Sequence, residues 1–173
     1  SKKLRTMSFS LQGHQPWTQG FETSPQIITN GEPIGIQKAD QLQAIIDNIT
    51  SIQHGNIYCE EYNQRVSAAI DFTAKLRKSL RSAKLETGFY HNNQDLTKQL
   101  REVARLISTR AERKVERDVF FVQMGGFDNH RSVGVELGRR FDTVNNAFKK
   151  FVTEMKAQGM FESVVMVTHS DFG

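Results

Sequence analysis

Val119-Phe-Phe-Val-Gln-Met-Gly-Gly-Phe-Asp-Asn-His130 and Val164-Val-Met-Val-Thr-His-Ser-Asp-Phe-Gly173 decide how this chain is read. Each is a short run rich in Val and Phe that breaks into a loop bearing an acidic residue beside Gly, Ser or His. Between them, Leu137, Phe141, Val144, Phe148, Phe151 and Met155 step by four and three, the spacing of a helix with one apolar stripe. Gly159 closes that helix. Strand, polar loop, helix, strand, polar loop predicts a βαβ unit, with Val119–Val122 and Val164–Val167 as parallel strands buried on both faces. Both loops then leave the carboxyl-terminal edge of the sheet, where open α/β folds bind ligands.

The site candidates follow from that edge. Gly125 and Gly126 let the backbone turn and come close to a ligand. Asp128 and His130, two apart, project to one side of an extended segment. A carboxylate and an imidazole converging in this way suit a divalent ion such as zinc, manganese, calcium or magnesium. Asp171, on the second loop, offers another carboxylate, and His169 and Ser170 can donate or ligate. The same residues of the first loop also suit a capped turn before a helix. A nucleophilic Ser-His-Asp arrangement has less behind it, because no Gly-x-Ser-x-Gly turn surrounds Ser170.

Upstream, Met7-Ser-Phe-Ser-Leu11 alternates and predicts a strand. A loop with His14 and Trp17 follows; they could line a pocket, but a lone His in such a place is more often a surface or structural residue. Gln26–Thr29 is a second short strand, ended by the turn dipeptide Asn30-Gly31, with Pro33 and Gly35 prolonging the loop. Helices are expected from Lys38 to Ile52, with Asp40 as cap and His54-Gly55-Asn56 as terminator, and from Glu60 to Leu85, stopped by Gly88. In the second, Tyr62, Val66, Ala69, Thr73, Leu76 and Leu80 form the buried stripe. Phe89–Asn93 is a linker. Asn93 or Asp95 can cap a third helix bearing Leu96, Leu100, Val103 and Ile107. The expected organisation is one α/β domain with a mostly parallel sheet. Residues 1–36 are irregular or β, 37–117 helical, and 118–173 the site unit. The stop just after a strand reads as a partial domain.

Composition narrows the classes. No apolar run reaches the roughly 18–20 residues of a membrane span. The single cysteine, Cys59, allows no internal disulfide and is expected to be a small half-buried residue. Residues 75–117 hold twelve Lys/Arg against five Asp/Glu, a net +7 within an overall +4. The basic charge lies on amphipathic helices with few aromatics and no nucleic-acid reading motif, so nucleic acid is not the expected partner. It leaves a non-catalytic alternative: a secreted or surface protein that binds acidic partners through these helices.

Phe121-Val-Gln-Met-Gly-Gly-Phe-Asp-Asn-His130, the helix after it and Val164–Gly173 resemble the family of domains of unknown function 1501 (DUF1501), with its Gly-Gly-Phe-Asp-Thr-His and Ser-Glu/Asp-Phe-Gly-Arg motifs. Ser8–Gly13 with Trp17, and Leu96–Ile107, are similar in order and spacing. The resemblance implies an alkaline-phosphatase/sulfatase-like fold with divalent metals at the strand ends, a small anionic ester as substrate, and export from the cytoplasm. It implies Asp128 and His130 as ligands of one metal and Asp171 as a ligand of the other. Asn129 stands where Thr is usual, and His169 where small or aromatic residues are common. The early nucleophile of that superfamily is not identified in this sequence, and the chain stops before the position of its late His.

Overall fold

The computed structural model describes residues 6–21, 23–36, 39–52, 55–89 and 95–170. The chain divides into two compact units, Ser1–Ala83 with Thr109–Phe121, and Lys84–Ser108 with Val122–Gly173.

The first unit carries the sheet. Strands β1 (Thr6–Ser10), β2 (Gln26–Thr29), β3 (Glu32–Pro33) and β4 (Arg117–Phe121) lie in the order β3-β2-β1-β4. β1 runs parallel to both β2 and β4, and only the β2–β3 hairpin is antiparallel. This is the expected α/β class with a mostly parallel sheet. Asn30 and Gly31 both have positive φ (52° and 78°), the conformation of a two-residue hairpin turn. The turn returns the chain into β3, where a continued loop was expected.

β1 is an inner strand, parallel to both of its neighbours. Phe9 is fully buried and stacks on Phe120, its register partner on β4, with ring centroids 5.6 Å apart. Its polar face is buried too, with Ser8 Oγ donating to the Thr18 carbonyl at 2.7 Å. Arg113 is nearly buried, and its guanidinium lies over Phe9 while donating to both oxygens of Asp118. Such a bidentate pair satisfies both charges in a place that water scarcely reaches.

Two helices complete this unit, α1 (Ala39–Thr50) and α2 (Ile57–Ser82). α2 begins three residues before the expected start, because Asn56 Oδ1 accepts from the Tyr58 N–H at 2.9 Å and caps it. Its expected stripe is buried at Thr73, Leu76 and Leu80, but Tyr62 at the other end is 68% exposed. Arg77 Nε donates to Glu32 Oε2 at 3.0 Å, tying α2 to β3. Cys59 is exposed, not half-buried, because it sits on the uncovered early turns of α2. The expected start of α1 at Lys38, its cap Asp40 and its terminator His54 lie outside the described side chains.

The second unit is built on α3 (Asp95–Ser108) and α4 (Val133–Ala157), which pack on each other. Leu96, Leu100, Val103 and Ile107 are 3–5% exposed, as their spacing requires. Phe151 and Met155 are buried, whereas Phe141, on the same stripe of α4, is 60% exposed.

Two strand expectations are corrected. Of Val119–Val122, the first three residues lie on β4, but β4 is half-exposed, with Val119 at 49%, because it is a sheet edge among the described residues. Val164–Val167 makes no strand pairing, and Val165 and Val167 are 89% and 84% exposed. A Val-rich run becomes a strand only where a neighbour offers unpaired N–H and C=O groups in register. The parallel neighbour of β4 is β1, so the expected βαβ unit is not formed among the described residues.

Candidate functional site

In the second unit, the backbone at Gln123 is held by a side chain. Gln123 N–H donates to Gln99 Oε1 at 2.9 Å, and Gln99 Nε2 donates back to the Gln123 carbonyl at 2.8 Å. The amide of Gln99 thus acts as a neighbouring strand would, satisfying both backbone groups of one residue. Asp95 Oδ2 accepts a further bond from Gln99 Nε2 and holds it in place, so Asp95 supports the site in addition to opening α3.

Beyond Gln123 the backbone becomes a tight loop braced by α4. Gly126 has φ +86°, a conformation that L side chains rarely adopt. A methyl group there would lie 2.6 Å from Nη2 of Arg140, so the arginine rests where a side chain would have been. Gly125 is different, since a methyl group on it would meet nothing within 4 Å. Phe127 packs on Phe141 of α4 with centroids 6.1 Å apart. The Asn129 side chain donates to the carbonyls of Gly126 and Phe127 at 3.2 and 3.3 Å. A threonine has a single side-chain donor and could not hold both at once.

The loop presents Asp128 and His130. Asp128 Oδ1 lies 3.2 Å from His130 Nε2, and their side chains are 66% and 85% exposed. Among the described residues neither has another hydrogen-bonding partner. The expected convergence of carboxylate and imidazole is therefore present on this loop.

His169 and Ser170 lie on the exposed segment after Val167, and Asp171 lies outside the described residues. Among the described residues no three His, Cys, Asp or Glu side chains are grouped closely enough to hold a metal ion. His14 is exposed and Trp17 is 75% exposed, so neither lines an enclosed pocket.

Besides Gln99, residue patterns left Arg140 and Glu154 unnamed. Arg140 reads as one of several cations on a helix face, and only the backbone of Gly126 reveals its position. Glu154 falls between Phe151 and Met155 on the apolar stripe and is fully buried. Its carboxylate accepts from the backbone N–H groups of Glu86 (2.9 Å) and Thr87 (2.8 Å), from Thr87 Oγ1, and from Gln158 Nε2 (2.7 Å). Burial by itself would raise this carboxyl. The bonds from Thr87, Gln158 and the two amides outweigh it and hold Glu154 below the ordinary glutamate range. α2 ends at Ser82, short of the expected Leu85, and the amides of Glu86 and Thr87 are taken by Glu154. A charged residue on an apolar stripe was the available clue.

A mostly parallel sheet flanked by helices defines the class, an α/β protein, and the loop after β4 presents a carboxylate beside an imidazole. The chain belongs to the DUF1501 family, described as a protein of unknown function, whose family model matches residues 36–173. No curated protein and no solved structure matches it. No helix among the described residues is long and apolar enough to cross a membrane.

Proposed function

We propose that this chain contributes part of a divalent-metal site to a hydrolase of phosphate or sulfate esters, of the alkaline-phosphatase/sulfatase type. The observation that carries the reading is the Asp128–His130 pair, an oxygen and a nitrogen donor 3.2 Å apart on an exposed loop. Oxygen and imidazole donors suit zinc, manganese, calcium or magnesium. The pair fits two positions of a donor set that needs three or four, and Asp171 is the proposed further ligand. Membership of the DUF1501 family, whose match spans both loops, supports this assignment.

Within that site Asp128 supplies negative charge and His130 a neutral nitrogen. Asn129 holds the turn between them, and Gly125 leaves bare backbone where a small anionic ester can approach. When bound, the ion polarises the ester and stabilises the leaving oxygen. Elemental analysis and calorimetric titration of the full-length protein with zinc, manganese, calcium and magnesium test this. Binding of at least one ion, lost in Asp128→Ala and His130→Ala, is the expected result. A folded protein that binds none of them, or an Asp128→Ala variant that binds as the parent does, sinks it.

A second reading is favoured by a cleft in the first unit. It has a volume of about 560 Å³, and its lining includes Lys75, Lys78 and Lys114 against Asp71 and Glu112, with Arg113 already paired to Asp118. This excess of cations suits a non-catalytic role in binding an acidic partner. That role requires affinity that falls steeply with salt and ignores chelators.

A further inference from the structure

The geometry points to Arg140 as the residue that binds the oxyanion of the substrate, the phosphoryl or sulfuryl head of the ester, beside Asp128 and His130. This rests on the metal-site reading above.

Arg140 is the eighth residue of α4, and its side chain reaches back to Gly126 in the Gly125–His130 loop. Nη2, Cζ and Nε lie 2.6, 2.8 and 3.2 Å from where a Gly126 side chain would begin. The guanidinium therefore lies flush on the backbone two residues before Asp128. An arginine on a helix surface ordinarily pairs with a carboxylate one turn away. Glu136 is that residue here, four positions earlier, yet its carboxylate accepts from Arg139 at 2.8 Å. Among the described residues Arg140 has no carboxylate and no hydrogen-bond partner.

A planar cation with its donors unused, held against a loop that exposes a carboxylate and an imidazole, is half of an anion site. The guanidinium fork matches two oxygens of a tetrahedral oxyanion, which an ammonium on a flexible stem does not. Asp128 and His130 would hold the cation on one side of that oxyanion, and Arg140 would take it from the other. Gly126 keeps the space open: any side chain there meets the guanidinium and also strains the backbone. The residue is thus an orienting and specificity-determining group for anionic esters.

The test is titration of inorganic phosphate, and separately of sulfate, into the metal-loaded full-length protein, after metal binding has been measured alone. Arg140→Gln is expected to bind metal as the parent does. Its affinity for the oxyanion should fall roughly tenfold or more, the loss of one charge-assisted contact. Arg140→Lys should fall between the two. Gly126→Ala, which displaces the guanidinium without removing it, should show the same oxyanion loss and serves if Arg140→Gln does not fold. If the parent binds metal but neither anion, or if Arg140→Gln and Gly126→Ala bind the anion as tightly as the parent, the assignment is overturned and the metal reading stands. If the parent binds no metal, the metal reading itself fails and the assignment fails with it.

Discussion

The two ends of α4 do different work. At its C-terminal end Ala147, Phe151, Glu154 and Met155 are all 3% exposed or less. At its N-terminal end Val133, Val135 and Phe141 are 46%, 59% and 60% exposed. One apolar stripe runs through both. The buried end packs with α3 and anchors the Glu86–Thr87 segment, while the exposed end braces the Gly125–His130 loop through Arg140 and Phe141. Stability is thus concentrated at one end and the candidate chemistry at the other. Loops that bind ligands are generally drawn from the less stable part of a fold.

The sharpest way to break this comparison is a pair of matched truncations. Phe151→Ala is expected to cost about 3–5 kcal/mol of unfolding free energy, because it empties a buried ring site. Phe141→Ala, at an exposed site, should cost under about 1.5 kcal/mol. Urea unfolding of both variants decides it, and equal costs would erase the distinction between the two ends.

Next in size is Glu154→Ala, expected to cost roughly 2–4 kcal/mol because it empties a buried position and leaves the amides of Glu86 and Thr87 without their acceptor. Glu154→Gln keeps the shape but sets an amide N–H₂ among donors, so it should retain only part of the stability. Thermal melts at neutral pH check both.

The same carboxylate sets a pH dependence. Its folded pKa lies below its unfolded one, so its contribution is fully present above the ordinary glutamate range. The contribution is lost as pH falls through the depressed folded value. Stability of the parent should therefore drop on acidification below the ordinary glutamate range, and the Glu154→Gln variant should show a shallower drop. Parallel acid titrations followed by circular dichroism measure the difference.

The smallest expected effect on stability is at the exposed end itself. Asp128→Ala and His130→Ala should change unfolding free energy by no more than about 0.5 kcal/mol, since both side chains are largely exposed. Under the metal proposal they nevertheless abolish ion binding. A large stability loss in either variant would mean that the pair is structural.

Much of the fold was legible along the chain. The strands at Thr6–Ser10 and Gln26–Thr29, the Asn30-Gly31 turn, the four helices and β4 follow from periodicity and turn chemistry. The position of the Asp128–His130 pair on a loop after β4 was legible for the same reason. Arg140 was not, because its distinction from Arg139 is a direction in space. Gln99 was not, because a glutamine that replaces a strand neighbour carries no periodic mark.

Sequence alone determined where apolar faces exist and where the chain must turn, since both depend on residues a few positions apart. It could not determine which faces are covered. Leu42, Ile45 and Ile49 on α1 repeat as faithfully as Leu96, Leu100 and Val103 on α3, yet the first set is 38–58% exposed and the second 3–5%. Val164–Val167 has the composition of a strand but no partner among the described residues. Burial and strand pairing require a second surface brought from elsewhere in the chain, and only the tertiary structure decides which segments meet.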